Sequence, residues 1–155
     1  MNLLQKTIAA ITVPDAALAR RVTAELCTRS GIHFGQLGDA LARYIALTGE
    51  RHPAPPQTSV VISCADHGVA AESVSAYPPE TTLNMMCNYL RARGGAANAV
   101  ANYVPARLCV ADLGVNADTA EIPDLLHRSI ARGTENMTKG AAMTHAQAIQ
   151  AIETG

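Results

Sequence analysis

Two polar clusters in this 155-residue chain hold side chains able to do chemistry. The first, Cys64-Ala65-Asp66-His67-Gly68, follows directly on Ser59-Val60-Val61-Ile62-Ser63, a run of strand type. In open parallel α/β sheets, ligands bind outside the carboxyl ends of the strands. Asp66 and His67 therefore stand where acid/base groups or metal ligands would act. The same residues equally suit a plain strand-end turn, with Asp66 as cap, His67 packed beneath and Gly68 supplying a positive φ. Asp112 closes a second apolar run, Leu108-Cys109-Val110-Ala111, in the same manner. Two carboxylates on one sheet edge could hold a cation or a ribose hydroxyl, or each could cap its own strand.

The second cluster is Arg132-Gly133-Thr134-Glu135-Asn136-Met137-Thr138-Lys139-Gly140. Glycines, hydroxyls and two cations suit an anion, which bare N–H groups and positive charge both favour. A surface loop of this composition is the alternative. The chain has no Walker A motif and no G-x-G-x-x-G. Gly94-Gly95-Ala96-Ala97 permits close backbone approach, either to a ligand or, more simply, to a packed neighbour. His33, His52, His127 and His145 show no metal-ligand spacing, and Cys27, Cys64, Cys87 and Cys109 form no C-x-x-C pair. These cysteines read as reduced structural thiols.

The elements that must position these groups follow from periodicity. The first fifty residues read as helical, with Leu18, Val22 and Leu26 after Pro14, then Leu37, Leu41, Tyr44 and Ile45 ahead of Gly49. His52-Pro53-Ala54-Pro55-Pro56 is a stiff linker, which suggests a helical arm over 1–52 and an α/β domain over 53–155. Residues 59–64 form a strand of the kind buried on both faces. Leu83, Met86, Cys87 and Leu90 mark a helix side, Gly94-Gly95 interrupts it, and Ala97, Val100, Ala101 and Val104 restart it. A strand near 107–112 completes a right-handed parallel βαβ unit. Leu125 to Ala131 suits either a third strand or a short helix opened by Pro123. Thr144 and Gln147 form a capping box for a last helix over 145–153. The predicted fold is α/β, a partial Rossmann-like parallel sheet with an N-terminal helical arm. Two or three strands are few for a parallel sheet, so an uncovered face or edge is expected, and with it an oligomer rather than a monomer.

Composition narrows the function classes. Hydrophobic residues make up 48% and charged residues 16%, which excludes a disordered chain. Twelve basic against thirteen acidic residues, with one Phe, four Tyr and no Trp, argue against nucleic acid or an anionic membrane as partner. No apolar run reaches the roughly 18–20 residues of a membrane helix, and the start lacks signal-peptide character, so a cytoplasmic location is expected.

Several segments together resemble one family, the nicotinate-nucleotide:dimethylbenzimidazole phosphoribosyltransferases of cobalamin biosynthesis. They are Val60-Val61-Ile62-Ser63-Cys64-Ala65-Asp66-His67-Gly68-Val69, Ser75-Ala76-Tyr77-Pro78-Pro79-Glu80, and Gly94-Gly95-Ala96-Ala97-Asn98-Ala99-Val100. Asp112-Leu113-Gly114-Val115, Ile130-Ala131-Arg132-Gly133-Thr134 with Asn136-Met137-Thr138, and Ala141, Met143 and Thr144 continue the match in the same order. Family members join nicotinate mononucleotide to a benzimidazole nitrogen, releasing nicotinate and giving α-ribazole phosphate, without a metal or redox cofactor. The resemblance implies substrate contacts at Tyr77, Glu80, Asn84 and Met85 for the base. Asp66, His67, Gly133 and Thr134 complete the set of expected substrate-binding residues.

Two departures accompany the match. Ser30-Gly31-Ile32-His33-Phe34-Gly35 stands where the family has a proline- and glycine-rich turn. Family chains also run to about twice this length, and their catalytic glutamate lies in the other half. No carboxylate here takes that role by matching, although Glu72 and Glu80 lie near the base segment. The expected function is thus the N-terminal half of a glycosyltransferase, inactive until a C-terminal half or full-length homologue complements it. The alternative is a non-catalytic binding or interaction protein derived from that family.

Overall fold

A computed structural model describes residues 2–154 and divides the chain into two compact units, 1–56 and 57–155. In the first unit, α1 (Leu3–Ala10), α2 (Ala16–Ser30) and α3 (Gly35–Thr48) follow one another. Helix α1 opens on a capping box in which Asn2 Oδ1 accepts from Gln5 N and Gln5 Oε1 accepts from Asn2 N. Asp15 caps α2, its carboxylate accepting from Leu18 N at 2.8 Å. Gly31 and Gly49 end α2 and α3 in the left-handed conformation. The α2–α3 pair closes on Ala19, Val22 and Ile45, with Leu18, Leu26 and Leu41 packed around them.

The second unit begins with β1 (Ser59–Ala65) and a single-turn 3-10 segment, Gly68–Glu72. Helices α4 (Glu80–Leu90) and α5 (Gly95–Tyr103) lead to β2 (Arg107–Gly114), then β3 (Leu126–His127) and α6 (His145–Thr154). All pairings are parallel, in the order β1-β2-β3, with Val60 opposite Leu108 and Cys64 opposite Asp112. The third strand therefore exists, but over two residues. Thr144 and Gln147 make the expected box at the start of α6.

One expectation is corrected. Strand β1 is not buried on both faces: Ser59, Val61 and Ser63 are exposed and alternate with more buried neighbours. Its packed side carries Ile62 and Cys64, which join Val110 of β2 and Met86 and Leu90 of α4 in the core. A run of β-branched residues reports strand tendency, whereas burial of each face depends on what the rest of the fold lays over it.

The Gly94-Gly95 junction is a packing device. A Cβ on Gly94 would lie 2.4 Å from Asn88 Oδ1, and one on Gly95 would lie 2.9 Å from a Tyr89 ring carbon. Buried Asn98 fixes the joint by donating to the carbonyls of Tyr89 and Gly94.

Candidate active site

The carboxyl ends of β1 and β2 are tied to the segment after β3 by a ladder of backbone bonds. Gly114 O accepts from both Asp66 N and Gly133 N, each at 3.0 Å. Thr134 N donates to Asp66 O and Gly68 N donates to Thr134 O, again at 3.0 Å. This close pairing explains Gly68, where a Cβ would sit 2.6 Å from Thr134 O and 2.7 Å from Asn136 N. Gly133 takes φ +74°, which glycine adopts without strain.

The two strand-end aspartates are spent on this framework. Asp112 is buried, accepting from Gly114 N and Val115 N on Oδ1 and from the Thr119 hydroxyl on Oδ2. Asp66 accepts from the Thr82 hydroxyl of α4 on Oδ1 and from Asn116 N on Oδ2, both at 2.7 Å. Asp66 thus ties the first turn of α4 to the loop after β2. Of the two roles open to Asp112, the strand-end cap is the one found. No group of three or more His, Cys, Asp or Glu among the described residues is arranged to hold a metal ion.

A cavity of about 580 Å³ opens over these strand ends, lined by Asp66, His67, Gly68, Pro79, Glu80, Leu83, Asn116, Arg132, Gly133 and Thr134, with Ala70, Ala71 and Ala117. Five of the eight expected substrate-binding residues therefore meet there: Asp66, His67, Glu80, Gly133 and Thr134. Tyr77, Asn84 and Met85 do not line it, and Tyr77 is 72% exposed. The helix period accounts for this: Glu80 and Leu83, three apart on α4, face the cavity, while Asn84 turns to solvent and Met86 into the core. Asn116 was not singled out from the sequence. Its position two residues past the end of β2 is the signal that could have found it.

His67 and Thr134 form a shared wall. The Thr134 hydroxyl lies 3.4 Å from His67 Nδ1, and both residues also line a second, mostly apolar cavity of about 590 Å³. That cavity is bounded by Ala65, Leu113, Ile130, Met143 and, from α6, Gln147 and Ala151.

The 132–140 cluster is largely self-satisfied. Its Gly133 and Thr134 N–H groups serve the backbone ladder. Lys139 Nζ lies 2.9 Å from Glu72 Oε1, which also accepts from Asn136 Nδ2 at 2.6 Å. These two donors, Lys139 first, hold the Glu72 carboxyl below the ordinary carboxylate value. Arg132 is the cation of the cluster that lines the cavity. Beneath the site, burial and then the Asp112 and Asp66 charges push the Cys64 thiol up to about 11, so it stays protonated.

A family model described as Phosphoribosyltransferase matches residues 11–155. The nicotinate-nucleotide–dimethylbenzimidazole phosphoribosyltransferase of Geobacter metallireducens is 38% identical over 100% of this chain and 44% of its own length. The enzyme of the same name from Chlorobium chlorochromatii is 40% identical over 98% of this chain and 43% of its own. The crystal structure of CobT from Thermus thermophilus superposes with a TM-score of 0.76 at 37% identity, covering 87% of this chain and 40% of that one. The chain thus spans under half the length of the curated relatives it matches. No helix among the described residues is long and apolar enough to cross a membrane. With the match running from the first unit to the end of the second, the chain belongs to the nicotinate-nucleotide:dimethylbenzimidazole phosphoribosyltransferase family.

Proposed function

We propose that this chain supplies the N-terminal part of a cytoplasmic transferase that makes α-ribazole phosphate from nicotinate mononucleotide and dimethylbenzimidazole. The observation that carries this reading is the cavity at the carboxyl ends of β1 and β2, where Asp66, His67, Glu80, Gly133 and Thr134 converge. In the reaction an azole nitrogen attacks the anomeric carbon with its lone pair. The bond from that carbon to the pyridinium nitrogen breaks, and nicotinate leaves with the electron pair. The proton on the other azole nitrogen must then pass to a base.

Within this chain no carboxylate takes that role by matching, although Glu80 lines the cavity. Glu72 is a poor base, because Lys139 and Asn136 already stabilise its charge. The family's own base lies in sequence beyond the matched stretch, so the chain by itself is expected to bind substrate without turning it over. Loss of a general base typically costs about 10²- to 10⁴-fold in rate.

The test is a titration followed by NMR shifts of the chain, with nicotinate mononucleotide and dimethylbenzimidazole added separately. The base is expected to bind in the high-micromolar to millimolar range and to shift Leu83 and Asn116. Lys139→Ala should leave this unchanged, because Lys139 is paired with Glu72 away from the cavity. Met85→Glu separates two placements of the base. Abolished binding would put the ring against the α4 face that carries Met85, and retained binding would put it in the strand-end cavity. Tight nucleotide binding that is lost with Lys139→Ala would refute the reading and make the 132–140 loop the site.

A further inference from the structure

Thr82 stands on a row that the helix period reserves for the core. On α4 it precedes Met86 and Leu90 at steps of four, and both of those are buried. A valine would match the shape of Thr82 in such a row. The threonine hydroxyl instead donates to Asp66 Oδ1 at 2.7 Å. Pro79 gives the start of α4 no side-chain cap, so among the described residues this is the side-chain hydrogen bond that holds the first turn of the helix. The second half of α4 is held differently, by Met86 and Leu90 in the core.

The other oxygen of the same carboxylate reaches a different segment of the cavity wall. Asp66 Oδ2 accepts from Asn116 N at 2.7 Å, and Asn116 and Ala117 line the cavity together with Glu80 and Leu83 of α4. The backbone of Asp66 is itself fixed, its N–H donating to Gly114 O and its C=O accepting from Thr134 N, both at 3.0 Å. One firmly seated carboxylate thus joins the start of α4 to the loop after β2.

We propose that Asp66 is a positioning residue: it sets the spacing of these two wall segments, and through it the affinity for a flat aromatic base, without touching that base. Spacing matters because a gap of roughly 0.5–1 Å forfeits about a quarter to a half of a van der Waals contact. Both carboxylate oxygens already have donors, and each donor belongs to a segment that lines the cavity. The ligand named here rests on the transferase reading, whereas the clamp itself rests on the hydrogen bonds alone.

The test titrates dimethylbenzimidazole into the full chain and into its Thr82→Val, Thr82→Ser and Thr81→Val variants, followed by NMR shifts. Tm and amide hydrogen exchange are measured on each. Thr82→Val keeps the shape of the side chain and removes the donor. It should fold with a Tm close to that of the unaltered chain, yet bind the base about fivefold more weakly, the factor a single hydrogen bond is typically worth. The Thr82 amide, bonded to Pro79 O, should exchange faster in this variant while the Leu90 amide keeps its protection. Thr82→Ser retains the hydroxyl and should restore both affinity and protection. Thr81→Val, one position off the row, should alter neither. A direct ligand role for Asp66 predicts the opposite, because Thr82→Val frees Oδ1 to accept the azole N–H. Unchanged or tighter binding by Thr82→Val would therefore overturn the inference. A loss that Thr82→Ser fails to restore would also overturn it, by assigning the effect to packing. If the unaltered chain binds no base, the transferase reading fails and the exchange data decide the clamp. Faster exchange at Thr82 that the serine variant reverses then supports it, and unchanged exchange overturns it.

Discussion

Replacing Gly68 by alanine would drive a methyl group into the backbone that closes the site. The added Cβ would stand 2.6 Å from Thr134 O, 2.7 Å from Asn136 N and 2.7 Å from the Glu135 carbonyl carbon. Ordinary contact begins near 3.4 Å, so the 134–136 segment must retreat by about 0.8 Å. These are main-chain atoms and cannot rotate away as a side chain would. Overpacking of this kind costs about 1–3 kcal/mol. The retreat also weakens Gly68 N to Thr134 O and Thr134 N to Asp66 O, each contributing about 1 kcal/mol. A total of about 2–4 kcal/mol corresponds to a drop in Tm of about 5–15 °C for a chain of this size. Thermal denaturation gives the total, and hydrogen exchange at the Thr134 amide shows whether the loss is local. Gly140→Ala is the control, because nothing lies within 4 Å of a Cβ there. A Gly68→Ala chain with wild-type Tm and undiminished protection at Thr134 would refute the close-approach argument.

Three further outcomes follow from the same geometry. Asp112→Ala strands the Gly114 and Val115 N–H groups and the Thr119 hydroxyl in a buried site, and should cost about 3–5 kcal/mol in chemical denaturation. Asp112→Asn, which keeps acceptor capacity, should cost less. Cys64, with its thiol pushed up to about 11, should alkylate last of the four cysteines at pH 8; its thiolate fraction there is about 100-fold below that of an ordinary thiol. Mass spectrometry of a timed labelling reaction reads the order directly. The depressed Glu72 carboxyl makes its tie to Lys139 and Asn136 fully effective above the ordinary value of 4.5 and lost as pH falls below it. Protection of the Thr138 amide should therefore hold from pH 7 to 5 and decline beneath that, and Glu72→Gln should remove the decline.

Much of the framework was legible because it depends on local signals. The i, i+3, i+4 spacing of Leu83, Met86, Cys87 and Leu90, broken by Gly94-Gly95, marks α4 and α5 directly. The Thr144–Gln147 box marks α6 in the same way. Strand β3 was ambiguous since two residues, Leu126 and His127, carry no period, and only their pairing with Ala111 and Asp112 makes them a strand. The open face of β1 was written in the Ser59, Val61, Ser63 alternation, but the β-branched run around it masks that pattern. In the site, residues at strand ends were read well because the chain direction of a parallel sheet fixes where they go. Residues on α4 were read less well. Helix phase decides which of them reach the cavity, and that phase is set by Met86 and Leu90 seeking the core. The glycines and hydroxyls of the 132–140 cluster resemble an anion loop by composition. Their N–H groups are instead engaged by Gly114 and Asp66, a long-range pairing that composition does not encode.

The central claim is that this chain holds part of a transferase site that a second stretch of polypeptide completes. The most direct measurement is α-ribazole phosphate formation from nicotinate mononucleotide and dimethylbenzimidazole, assayed on the chain alone, on the unmatched remainder of the Geobacter relative alone, and on the co-expressed pair. Product, with equimolar nicotinate release, is expected from the pair only. Turnover by the chain alone that Glu80→Gln abolishes would contradict it, as would a folded, stable pair that forms no product.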